Sequence, residues 1–227
     1  MLDSFDLLVA LKKLGYLQTT RDPLWWPHSG TFEVVVGALL TQQSKWEKVE
    51  ESLSHLKTEN LLTLETLSSA DTNHIASLIK PSGFYNTKAP RLIMLTQNIL
   101  KDFGSFDTFV NEVDRTWLLA QNGIGMESAD SILCYACHRP VFVVDNYTQR
   151  LLGALGYEFE TYMELQSWMQ RGIEENFHQI KSVYNDTADL ATVYARFHGK
   201  IVEYAKKHIR GKQVDVAPLL KALEESI

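Results

Sequence analysis

The residues with the clearest chemical meaning lie between Leu118 and Asp145. Asn122-Gly123-Ile124-Gly125 separates two helical patterns, and its glycines permit positive φ and remove side chains, so backbone N–H groups can face outward together. Added to the positive N-terminus of the following helix, those amides make an anion site of phosphate size. Ile124 plugs the turn against the apolar interior. Farther on, the run Val141-Phe142-Val143-Val144 delivers Asp145 to the start of another helix, where aspartate is a ready N-cap. Three of the five tryptophans, Trp25, Trp26 and Trp46, fall in two short segments, with Pro27 beside the first pair. Such rings either fill core or stack on a planar cation. Cys134 and Cys137 are too few for a disulfide framework, a four-thiolate zinc site or a four-thiolate iron–sulfur cluster, and read as small buried side chains. None of the seven histidines sits in an HxxxH or HxE pattern, so no metal site is assigned.

These residues need rigid helices to position them, and helical periodicity dominates the chain. Phe5, Leu7, Leu8, Leu11 and Leu14 form a stripe closed by Gly15. Residues 31–42 and 45–56 read as two helices around a turn at Gln43-Ser44. Asp71 caps a helix that ends before Pro81, and Leu92, Leu95, Ile99, Leu100 and Phe103 mark another closed by Gly104. Further helices are predicted over 106–112, 115–121, 126–137, 146–155, 161–175, 186–208 and 215–225. The run 141–144 is β-like but has no partner strand, so the fold class is all-α.

The chain has 227 residues, enough for one large domain or two small ones, and its composition excludes disorder and collagen-like repeats. Its longest aliphatic stretch, 34–40, is far short of the ~20 residues that span a bilayer. Met1-Leu2-Asp3-Ser4 lacks the basic start of a signal peptide, so a soluble cytoplasmic protein is expected. Net charge is −6 and pI about 5.6, which disfavours a generalist nucleic-acid binder. Between Arg196 and Lys212, however, six basic residues face Glu203 alone, a local excess compatible with a narrow DNA footprint or with a solvated helix tail.

Residues 118–152 resemble the helix–hairpin–helix motif and trailing acidic residue of the endonuclease III-like DNA glycosylases. Leu39-Leu40-Thr41-Gln42-Gln43 and Gly83-Phe84-Tyr85-Asn86-Thr87-Lys88-Ala89 are similar to two further segments of that family. Trp25-Trp26-Pro27 and Lys45-Trp46 are most similar to its bacterial 3-methyladenine DNA glycosylase branch. The resemblance implies two helical lobes around a cleft: residues 30–130 in one, and 1–29 with 131–227 in the other. It further implies Asp145 as the catalytic carboxylate at that cleft, a base pocket of Trp25, Trp26, Pro27 and Trp46, and DNA contacts from Gln42, Gln43, Lys88, Gly123, Ile124 and Gly125. Gln43 resembles the residue that fills the gap left by a flipped base. A monovalent cation shared by hairpin carbonyls and a DNA phosphate is also implied.

Two departures from the family matter. Bifunctional members carry a Schiff-base lysine two residues after the second hairpin glycine, and here that position is Glu127, so base release without strand cleavage is expected. No cysteine follows Cys137, so the family's iron–sulfur cluster is not expected. The expected partner is double-stranded DNA with alkylated bases, bound by a monomer on a bacterial nucleoid. A glycosylase for mismatched or oxidised bases and a non-catalytic DNA-binding module remain alternatives. Lys200, beside the stripe Leu190, Val193, Tyr194, Phe197, Ile201 and Tyr204, is expected at the surface, against phosphate or water; if buried, it would need a carboxylate partner or a modification that removes its charge.

Overall fold

The computed structural model describes residues 3–17, 23–183 and 188–224. It divides into two compact helical units, an internal one of His28–Cys137 and a terminal one joining Met1–Pro27 to His138–Ile227. The first helix, α1 (Ser4–Lys13), opens on a reciprocal cap in which Asp3 accepts from the Asp6 amide and Asp6 from the Asp3 amide.

The internal unit follows with α2 (Phe32–Leu40), α3 (Trp46–Thr58), α4 (Leu64–Ser68), α5 (Thr72–Leu78), α6 (Tyr85–Phe103), α7 (Phe106–Glu112), α8 (Arg115–Leu119) and α9 (Met126–Ser131). Val34, Val35, Val36, Leu39 and Leu40 are all buried, so beyond Glu33 in its first turn α2 is apolar on every side and packs within the unit. The long α6 packs on α4, α5 and α7. Buried Asp130 takes two 2.8 Å bonds from Arg115, which joins α8 to α9 across the glycine turn.

The terminal unit resumes with α10 (Asn146–Ala154), α11 (Tyr162–Glu175), α12 (Phe177–Val183), α13 (Leu190–His208) and α14 (Ala217–Glu224). Val193, Tyr194, Phe197, Ile201 and Tyr204 of α13 are fully buried against Leu7, Leu8 and Leu11 of α1 and Phe142, with Leu190 at the edge. Gly172 of α11 lets α1 approach closely: an added Cβ would lie 2.4 Å from Ser4 Oγ, and that hydroxyl donates to Met169 O at 2.8 Å.

Several elements differ from the periodicity reading. Leu14 is 36% exposed and lies outside the α1 core face. α6 starts at Tyr85, before its apolar pattern begins, and carries Pro90 inside. The expected single helix over 126–137 is α9 followed by a π turn at Ile132–Ala136, where Cys137 N donates to Ile132 O. Short α4 and α12 are additions to the expected helices. Residues 186, 187 and 225 of the expected helices lie outside the described residues. Val141–Val144 makes no strand: Gln166 Nε2 donates to Phe142 O at 2.6 Å and the Tyr162 hydroxyl accepts from Val144 N at 3.3 Å, so α11 side chains satisfy its buried backbone. Among the described residues the strands are a two-residue pair, Ile209–Arg210 with Gln213–Val214, turned at Gly211.

Lys200 corrects the surface expectation. It is 2% exposed, and its Nζ donates to Tyr16 O at 2.6 Å. Arg196, one turn earlier, donates to Leu17 O and Pro23 O. Part of the basic run therefore fastens the 16–17 and 23 backbone onto α13. Burial, then Arg196 and Lys12, lower the Lys200 ammonium to about 8 from 10.5. Between those values the unfolded chain holds a proton that the folded chain has released, so stability from this group rises as pH rises from about 8 toward 10.5. Chemical denaturation across that window is predicted to show wild-type stability gaining on Lys200→Met; parallel curves would exclude a depressed Lys200.

Candidate functional site

The expected site residues form two groups, one in each unit. In the internal unit the hairpin between α8 and α9 has the anticipated form. Gly123 takes φ +83°, Ile124 is buried, and Gly125 is the N-cap of α9. The amides of Gly123 and Gly125 donate to no group among the described residues, which leaves them open to an anion. Gln42 lies against this turn, its Nε2 donating to Gly123 O at 2.8 Å and to Ser128 Oγ at 2.9 Å. It braces the hairpin, a role that the sequence alone did not indicate.

Gln43, next in the chain, is exposed at φ +53°. Phe84 is likewise held at φ +49°, with 61% of its surface exposed. Both are non-glycine residues in left-handed backbone, a conformation that costs on the order of 1–3 kcal/mol and tends to persist at working sites. Phe84 was visible only as part of a motif; its exposure depends on the turn after Gly83. Trp46 opens α3 and is partly buried.

Lys88 is the second correction. Its position suggested a phosphate contact, yet it is 2% exposed and its Nζ donates to Leu40 O at 2.8 Å and Ser82 O at 2.9 Å. Burial lowers its ammonium to about 8. The lysine ties the end of α2 to the turn that precedes α6, joining the two segments that flank Gln42 and Phe84, and it faces no solvent.

In the terminal unit Asp145 caps α10. Its Oδ1 accepts from Thr148 N at 2.7 Å and from Thr148 Oγ1 at 2.8 Å, while Oδ2 lies 3.4 Å from His198 Nε2. Burial pushes the carboxyl up, but the His198 and Thr148 interactions outweigh it and hold Asp145 below the usual carboxylate range. His198 is 3% exposed, and its ring meets that of Trp25 edge to face at 5.3 Å.

Trp25 (φ +80°) meets Trp26 edge to face at 6.2 Å; Trp26 is 8% exposed and serves as core, with Pro27 next to it at the end of the segment. The Trp25 Nε1–H donates to Glu203 Oε1 at 3.1 Å, and Lys206 Nζ lies 5.9 Å from the indole centre. Gly199 makes this seat possible: a Cβ there would come within 2.4 Å of Trp25 Cγ. One face of α13, carrying His198, Gly199, Glu203 and Lys206, thus holds both the carboxylate and the indole. Sequence reading missed His198 and Glu203 because they lie more than fifty residues from Asp145 and far from Trp25 in the chain.

The internal unit thus presents a turn with open amides, and the terminal unit, by itself, a largely buried carboxylate and a polarised indole. Gly199→Ala is predicted to keep α13 helical but displace Trp25, shifting tryptophan fluorescence and lowering stability by about 1–3 kcal/mol in urea. An unchanged emission spectrum would contradict the seat.

Comparison with known proteins adds a further observation. The model of a family described as HhH-GPD superfamily base excision DNA repair protein matches residues 36–175. A protein of Methanocaldococcus jannaschii, provisionally named a DNA repair glycosylase, is 38% identical over 217 residues, covering 92% of each chain. The crystal structure of the H. pylori 3-methyladenine DNA glycosylase bound to 1,N6-ethenoadenine is 47% identical and superposes with a TM-score of 0.89, over 92% of this chain and 100% of that one. A non-covalent endonuclease III–DNA complex, at 17% identity and a TM-score of 0.68, covers 100% of this chain and 99% of its own, and shares the fold.

Proposed function

Since the chain belongs to the HhH-GPD superfamily of base excision DNA repair proteins, we propose that it is a monofunctional DNA glycosylase that releases alkylated purines, above all 3-methyladenine, from double-stranded DNA. The observation that carries the reading is the division of labour within Asp145: Oδ1 is saturated by Thr148, and among the described residues Oδ2 has His198 as its neighbour and no backbone donor.

N3-alkylated adenine is cationic before it leaves. When the C1′–N9 bond breaks, its electron pair neutralises the base and positive charge passes to the deoxyribose, so protonating the leaving group is unnecessary. A carboxylate held ionised beside C1′ stabilises that charge and accepts the proton of the attacking water. An electron-poor ring is selected by stacking on an aromatic face, worth about 0.5–2 kcal/mol beyond burial. Trp25 is the best placed indole of its unit, set by Gly199, Glu203 and His198 and met edge to face by Trp26, with Pro27 assigned to the same pocket; Trp46 is our assignment for a second aromatic face.

Extruding the base costs a few kcal/mol. Gln43 and Phe84, both exposed on strained backbone, are assigned to the vacated stack, where an amide replaces lost pairing and an apolar wedge separates neighbouring steps. The amides of Gly123 and Gly125 are assigned to a DNA phosphate, with Ile124 as their anchor and Gln42 as their brace. The carbonyls of Gln121, Gly123 and Gly125 each accept one hydrogen bond and keep a second lone pair, so they fit a monovalent cation shared with that phosphate. No iron–sulfur cluster enters this scheme, because no cysteine follows Cys137. Among the described residues no helix is long and apolar enough to cross a membrane, and we place the protein in the cytoplasm of a bacterium, at its nucleoid DNA.

Asp145→Asn is predicted to bind duplex DNA as the wild type does while releasing free 3-methyladenine from methylated DNA at least 100-fold more slowly; undiminished release would remove Asp145 from the mechanism. Glu127 occupies the Schiff-base position and cannot form an imine, so borohydride is predicted not to trap the protein on DNA, and a covalent adduct on a denaturing gel would contradict the monofunctional assignment.

A further inference from the structure

The hairpin that is to hold a phosphate carries no cation of its own. From Gln121 to Asp130 its charged side chains are Glu127 and Asp130, both acidic. Lys88, the cation expected nearby, is turned inward to Leu40 and Ser82. Open amides alone would therefore meet the phosphate beside an exposed carboxylate.

Arg91 stands three residues beyond Lys88 on α6, on the next turn of the helix. A Cβ added to Gly123 would lie 2.6 Å from Arg91 Cδ, 2.8 Å from Nε and 3.0 Å from Cζ, so this side chain lies along the bare face of Gly123. Any side chain at 123 would evict it. Gly123 thus does two things: its φ of +83° closes the turn, and its missing Cβ admits a guanidinium to the same edge as the open amides. Arg91 is partly exposed, and among the described residues it takes part in no hydrogen bond or ion pair. Its five donors are therefore uncommitted, and a guanidinium fork matches the oxygens of a phosphate.

We propose that Arg91 is the DNA-phosphate ligand of this hairpin, donating to a non-bridging oxygen of the phosphate held by the Gly123 and Gly125 amides. The inference rests on the DNA-glycosylase reading but not on its chemistry. It is tested by measuring the affinity of the full chain for an undamaged duplex across a salt series, with folding of each variant checked by thermal melting. Arg91→Met keeps the apolar stem over Gly123 and removes the charge. It is predicted to weaken binding about tenfold and to flatten the slope of log K against log salt by about 0.9, the counterion release of one phosphate contact. Arg91→Lys, which preserves the charge, is predicted to keep the wild-type slope, and Arg91→Gln, which also removes the charge, supplies the same test as the methionine variant if that variant unfolds. A wild-type slope for Arg91→Met, or a flattened one for Arg91→Lys, overturns the assignment. Release of 3-methyladenine by the wild type is scored separately: release with an unaltered Arg91→Met slope sinks Arg91 alone, whereas a flattened slope without release leaves Arg91 standing and sinks the glycosylase reading.

Discussion

The terminal unit holds one largely buried carboxylate, Asp145, whose surroundings keep it charged. Removing Asp145 from water opposes ionisation, and three contacts reverse that effect: the Thr148 amide, the Thr148 hydroxyl and the His198 imidazole. The first two are ordinary helix capping, so the start of α10 and the ionisation of Asp145 are one piece of chemistry. Capping occupies only Oδ1. The partition leaves Oδ2 with the imidazole as its neighbour, and a single side chain both starts a helix and retains a usable negative oxygen.

His198 is followed by Gly199, and these two consecutive residues of α13 serve different masters. The imidazole approaches Asp145, while the missing side chain at 199 receives Trp25. Because Trp25 also meets the His198 ring and donates to Glu203, the indole has little freedom to rotate. Rigid supports of this kind are what a site needs to recognise a ring by stacking. The two buried lysines extend the logic to the backbone. Lys200 holds the segment that leads toward Trp25, and Lys88 joins the end of α2 to the turn before α6. Each ammonium is satisfied by carbonyl oxygens at the cost of a lowered pKa, and each fixes a loop that carries exposed or strained residues.

Much of this was legible in the sequence because it is local. The glycine turn, the Asp145 cap and the α13 stripe each depend on residues within a few positions of one another, and helical periodicity located most of the long helices. What escaped has a common physical cause. The direction of a long side chain is set by tertiary packing, so Lys88 and Lys200 were taken for surface cations although both are buried. The amide of Gln42 braces Gly123 from eighty-one residues away, a contact that no local pattern shows. The partners of the 141–144 backbone are side chains from α11, which no β pattern predicts.

The account stands on Oδ2 of Asp145 facing the sugar. A crystal structure with duplex DNA containing a cationic pyrrolidine in place of the damaged nucleoside's sugar would test it directly, since the ring nitrogen mimics the charge that develops during base release. The ring nitrogen should lie about 3 Å from Asp145 Oδ2, with Thr148 still bound to Oδ1. A pyrrolidinium paired with any other carboxylate, or out of reach of Asp145, would contradict the account.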